Sequence, residues 1–258
     1  MEENKKVIMT GIIIILAIAL AVVMYFFVRA RLEERAEAAK KIKTTELAEI
    51  EESMREKEEF PEPIQVELDK SDPLVRQLAS GFSSHPEFTK WLLTTDIIRK
   101  FVAAVDNIAN GLSPRPHIDF FSPDGKFKIK RKMGVYYIDP ESYSRYDIVA
   151  SVFTSLDTKA FIKLYRQMKP AIQEAYKDLG YPNEDFQNTL AKAIAELMKV
   201  PVIYDDIKVT KKVVTYTIVD SRLEELSEAQ KHLLRMGPEN VQGIQNKLKE
   251  IANALGFF

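Results

Sequence analysis

The chain contains no cysteine, which excludes disulfides, thiolate catalysis, iron–sulfur ligation and cysteine-ligated zinc. Glycine is scarce, at nine in 258 residues, and the sequence holds no phosphate-cradling glycine loop, serine nucleophile elbow or His-Glu-x-x-His motif. An excess of charge is lacking too. The 37 Lys and Arg are balanced by 38 Asp and Glu, so no overall field gathers nucleic acid, and a nucleic-acid partner is not expected. The three histidines, His85, His117 and His232, are far apart in sequence and fall on three different elements. No metal site, cofactor or catalytic residue is assigned, and the chain leans away from being an enzyme.

What the sequence does have is a long apolar run near its start. Val7 to Val28 is 22 residues without a charge, roughly 33 Å as a helix and enough to cross a bilayer core. It ends in Tyr25, Phe26, Phe27 and Val28 rather than at a small-residue cleavage site, so an uncleaved single-pass anchor is expected, with aromatics at the headgroup boundary. Lys5 and Lys6 precede the run, whereas Arg29, Arg31, Arg35, Lys40, Lys41 and Lys43 follow it. Basic residues favour the cytoplasm, which inclines the soluble part to the cytoplasmic face of the inner membrane; a periplasmic body is the alternative.

Residues 29 to 59 are rich in Ala, Glu, Lys and Arg and lack Gly and Pro, which predicts a charged helical spacer. Its basic residues cluster in Arg29 to Thr45 and its acidic ones in Glu46 to Glu59. The apolar seam is interrupted at Thr44 and Thr45, so it permits a homo-oligomer without requiring one. Phe60-Pro61-Glu62-Pro63 ends this helix. The expected organisation is an anchor and tail over 1–28, a connector over 29–70, and a soluble domain over 71–258.

In the soluble domain several start signals are legible. Ser71 or Asp72 is expected to cap one helix, Ser84 a second carrying Trp91, and Asn183 a third that faces Phe186, Leu190, Ala193, Ile194 and Leu197 inward. Ile97, Ile98, Phe101, Val102, Val105 and Ile108 mark the apolar face of a core helix that ends at Gly111. Helical spacing from Asp157 to Leu179 is interrupted at Pro170, which predicts one kinked helix. Phe127 to Arg131 and Val135 to Ile138 read as a hairpin turning at Gly134, and Ile203 to Val209 with Val213 to Val219 as a second. Ser227 to Met236 and the helix after Pro238 form a carboxyl-terminal helical hairpin. The fold class is α+β, mostly α, with the hairpins pairing with each other or lying on the helices.

The densest polar and aromatic stretch runs from Asp106 to Asp147, much of it expected in loops. Arg115 and His117 on one loop, facing Tyr137, Asp139, Tyr143 and Arg145, would bring a cation, an imidazole, a carboxylate and phenols together for ligand binding or acid–base chemistry. The plainer reading is a local Asp139–Arg145 ion pair with the tyrosine rings buried. Two functions follow: a non-enzymatic interaction or assembly module with a protein partner, or an envelope enzyme or small-ligand sensor using that cleft. A nucleic-acid role for the carboxyl-terminal hairpin is weaker, because its last helix offers no arginine for guanine.

Five ordered phrases carry a resemblance: Ser71-Asp72-Pro73-Leu74-Val75-Arg76, Phe101 to Ala109, Tyr137-Ile138-Asp139-Pro140, Leu179-Gly180-Tyr181-Pro182 and Leu234 to Asn240. Over about Ser71 to Gly256 the chain resembles a bacterial membrane-anchored family known as domain of unknown function 3014. That resemblance implies a bacterial envelope protein with one anchor, a variable connector and this domain. It brings no established activity, so no residue role is carried over.

Overall fold

The computed structural model describes residues 62–118, 125–213 and 215–257. The anchor over 1–28 and the spacer over 29–59 lie outside the described residues. Among the described residues no helix is long and apolar enough to cross a membrane. The fold is a mostly helical α+β domain with one small four-stranded antiparallel sheet. Packing begins upstream of Ser71, since Ile64 donates its N–H to the Gln167 carbonyl at 2.8 Å and Leu68 is buried in the core.

Helix α1 (Ser71–Ala79) is capped by neither residue expected to cap it. Ser71 Oγ donates to the Leu68 carbonyl at 2.7 Å. The Asp72 carboxylate turns to a different helix. Past α2 (Pro86–Trp91), it accepts the N–H groups of Asp96 at 2.8 Å and Ile97 at 2.9 Å, at the start of α3 (Ile97–Ala109). A helix start leaves its first donors unpaired, and this long-range acceptor holds Asp96 in a left-handed conformation, φ 55°. At α2 the cap is His85, whose Nδ1 accepts from Glu87 N–H at 3.2 Å, in place of Ser84. A side chain beside the proline at the helix start has the shorter reach.

The first hairpin forms, with β1 (Ile129–Lys132) starting two residues later than expected and β2 (Val135–Ile138) where it is expected. Its lysines are not all directed to open solvent: Lys130 and Lys132 converge on Asp206 at 2.5 and 2.6 Å. Part of the stretch expected as loop is helical, in α4 (Glu141–Ser144), and α5 (Asp147–Thr154) follows it, burying Val149, Ala150 and Val152. The buried Ser142 ties α4 to the first hairpin, accepting from Lys128 N–H at 2.7 Å and donating to Lys128 C=O at 2.8 Å.

The stretch expected as one kinked helix is two, α6 (Thr158–Gln167) and α7 (Lys169–Asp178), parted at Met168 with φ −90° and ψ 3°. Pro170 has no N–H to continue the ladder and its ring crowds the preceding turn, so the chain restarts rather than bends. Asp185, not Asn183, caps α8 (Phe186–Met198), accepting from Gln187 N–H at 2.9 Å. The second hairpin, β3 (Lys208–Lys211) and β4 (Tyr216–Ile218), starts later than expected and is shorter. It joins the first through Tyr136↔Val209 and Tyr137↔Lys208, giving the order β1-β2-β3-β4.

Three helices close the chain: α9 (Ser221–Glu224), α10 (Glu228–Leu234) and α11 (Pro238–Leu255). Ser227 and Gln230 form a capping box on α10, and Gly237 turns the chain at φ 87° directly against the Tyr143 ring. Buried Gln245 donates to the carbonyls of Leu197 at 3.1 Å and Val200 at 2.8 Å, answering acceptors that the end of α8 leaves open. Helix α3 lies at the centre against α1, α7 and α8, while α11 packs on α5, α6 and α8. Ile138 and Val209 bring the sheet into the same core.

Candidate functional site

Where these helices meet the packing is incomplete. Faces of α3 (Phe101, Ala104, Val105, Ile108), α8 (Leu190, Ala193, Ile194) and α11 (Ile244, Leu248, Ile251) surround a cavity of about 210 Å³. Val149 and Phe153 of α5, Phe161 of α6, and Ala229 and Leu233 of α10 complete most of the wall. An apolar cavity of roughly 150 Å³ is already dry and large enough for a benzene ring.

One wall residue is polar. His232, on α10, is 7% exposed, and its Nε2 is the single buried side-chain nitrogen or oxygen without a hydrogen-bond partner among the described residues. Burial pushes its pKa down to about 4, and the nearby positive charges of Arg115 and Arg235 push the same way. The ring is therefore neutral at pH 7, with one N–H and one bare nitrogen. The Tyr146 ring meets it edge-on at 6.0 Å between centroids, a contact that fixes the imidazole plane without satisfying it.

The six residues singled out from the sequence are placed as follows. Arg115 is exposed, and His117 is half-buried with its N–H on the Pro114 carbonyl at 3.0 Å. Tyr137 stands on β2 with the Lys132 ammonium 6.0 Å from its ring centroid. Asp139 accepts from Glu141 N–H at 2.9 Å, and Arg145 donates to the carbonyls of Ser142 at 3.0 Å and Gly125 at 3.3 Å while lying over the Phe127 and Tyr146 rings. Tyr143 packs on Gly237, and burial, with Asp206 and Glu239 adding, pushes its phenol up to about 12. Asp139 and Arg145 thus each serve backbone groups of their own neighbourhood. None of the six forms the cavity wall, though Pro114 and Ile118, flanking Arg115 and His117, do. Among the described residues no cluster of three or more His, Asp or Glu could hold a metal ion.

The sequence did carry a signal for His232. It stands at helical spacing with Ala229, Leu233 and Met236, an imidazole set in an apolar stripe.

A model of the family described as Protein of unknown function (DUF3014) matches residues 97–252. The chain belongs to this family. No curated protein and no solved structure matches it. Every residue of the cavity wall, from Phe101 to Ile251, falls inside the DUF3014 region, whereas α1 and α2 precede it. The DUF3014 match is narrower than the five ordered phrases suggest, beginning at α3.

Proposed function

We propose that this DUF3014 protein is a membrane-tethered, non-enzymatic binding module of the bacterial cell envelope, whose helical body holds the apolar part of a small ligand against His232. One observation carries the binding half: an apolar cavity of about 210 Å³ walled by six helices, with a single unpartnered neutral imidazole in its wall. Apolar lining with one or a few polar groups is the ordinary chemistry of a small-molecule pocket. The volume fits a slender chain or a single ring, and the imidazole fits one hydroxyl, carbonyl or protonated acid group on it. The tether half is supported by the uncharged run from Val7 to Val28, which would place an anchor over 1–28 ahead of a charged spacer and the helical body. The excess of Lys and Arg after that run supports a cytoplasmic body.

The test of binding is methyl NMR of the full chain in lipid nanodiscs, titrated with hexan-1-ol and with benzene. Saturable shifts are expected at the methyls of Ala193, Ala229 and Ile244, and Ala193→Phe, which fills the cavity, should abolish them. Shifts that persist in Ala193→Phe, or none up to the solubility limit, would overturn the assignment.

A further inference from the structure

The four-stranded sheet has two unlike ends. Strand β2 returns antiparallel to β1, and β3 runs antiparallel to β2, so the turn after β1 and the turn after β3 emerge at the same end. Adjacent strands are about 4.8 Å apart, which sets the two apices roughly 10 Å from each other. Each apex carries an apolar side chain wholly in solvent: Met133 is 105% exposed and Val213 97% exposed. Val135, beside the first apex, is 40% exposed. Exposed cations flank both, with Arg131 at one and Lys211 and Lys212 at the other, while the neighbouring Lys132 is held by Asp206 at 2.6 Å. At the opposite end the strands enter and leave through mixed charges, Asp139, Asp205, Asp220 and Glu224 beside Lys208 and Arg222, with Lys128 paired to Glu141 and Arg222 to Asp220.

Met133 is doubly unusual. Its φ of 46° lies in the left-handed region, followed by Gly134 at 81°. Two positive φ angles in a two-residue turn favour Asn-Gly or Asp-Gly. A methionine held there gains no packing in return, and strain without local compensation points to a role outside the fold.

We infer that this end of the sheet docks on an anionic lipid surface, with Met133 and Val213 inserted at headgroup depth and Arg131, Lys211 and Lys212 against lipid phosphates. Single apolar side chains on convex apices, ringed by cations, suit a deformable surface carrying negative charge. They offer no recess for a protein side chain. The inference rests on the tether half of the proposed function and is independent of the cavity.

Because the chain has no cysteine, Met133→Cys, Val213→Cys and, as a control, Leu93→Cys at a site 71% exposed can each carry one environment-sensitive fluorophore. The full chain is reconstituted in vesicles of phosphatidylcholine alone, or with 30% phosphatidylglycerol, with spin-labelled lipid as quencher. The expected result is a blue shift and quenching at positions 133 and 213 in the anionic vesicles, little in the neutral ones, and none at 93. Adding Arg131→Glu, Lys211→Glu and Lys212→Glu together should return the emission to that of the control. Water-like emission at 133 and 213 while the chain stays with the vesicles overturns the docking and leaves the tether standing. A chain that leaves the vesicles altogether overturns both. Equal quenching at 93, or a blue shift produced by soluble acidic proteins and not by vesicles, also overturns the docking.

Discussion

His232→Leu isolates what the buried imidazole does. In the folded protein the His232 pKa is about 4, whereas an unfolded histidine titrates near 6.5, so between these values the unfolded chain binds the extra proton. Stability therefore falls as pH drops from above 6.5 and levels off once it is below about 4. The gap corresponds to about 3 kcal/mol, and at 7% exposure solvent screening takes little from it. At pH 7.5 the same substitution removes a polar atom buried without a partner and places apolar surface in an apolar wall, worth about 1–3 kcal/mol in favour of the variant. Urea unfolding followed by the fluorescence of Trp91, the sole tryptophan, at several pH values between 7.5 and 4 gives both numbers. The variant should begin more stable and show a pH profile flatter by about 3 kcal/mol. Parallel profiles, or a variant less stable at pH 7.5, would show that the imidazole is satisfied in solution, and would remove the polar feature on which the ligand assignment stands.

Two further outcomes test how the domain is held together. A Cβ at Gly237 would sit 2.5 Å from Tyr143 Cγ at φ 87°, so Gly237→Ala should cost about 4 kcal/mol, while Gly134→Ala, with φ 81° and open space, should cost about 1 kcal/mol. Equal losses in denaturant midpoint would contradict the close approach. Asp72→Ala deprives Asp96 and Ile97 of their acceptor and should cost about 1–2 kcal/mol, with faster amide exchange at the start of α3 and unchanged protection in α8.

Much of the framework was legible because its signals are local. The apolar stripe of α3, the helix start at Ser227 and the Gly134 turn each need a window of a dozen residues or fewer, and each forms where the pattern puts it. Failures came where a distant partner decides. Asp72 reads as the cap of its own helix, and only the fold shows Asp96 and Ile97 within its reach. Helix α5 lacks a side-chain cap and spans eight residues, too few for its spacing to separate it from a buried strand. The polar constellation illustrates the converse. Asp139 and Arg145 are conspicuous in sequence because turns and loop ends use them, to accept from Glu141 N–H and to hold the carbonyls of Ser142 and Gly125. The cavity was hidden because voids arise from small residues on different helices, Ala104, Ala193 and Ala229, which in sequence look like ordinary interior alanines.

The seam between the two hairpins has a dynamic consequence. Strands β2 and β3 share two registered pairs, Tyr136↔Val209 and Tyr137↔Lys208, reinforced by Ile138 N–H on the Ile207 carbonyl at 3.0 Å and by the exposed pairs of Lys130 and Lys132 with Asp206. The first hairpin is fastened by Ser142 at both Lys128 backbone groups, whereas Glu224 occupies the outward N–H of Ile218 on the far edge at 2.9 Å. Separation at the seam can thus release β3 and β4 as one unit while the helices keep their packing. Deuterium uptake should then divide the sheet into an early-exchanging pair and a late-exchanging pair, with the boundary running between Tyr136 and Val209.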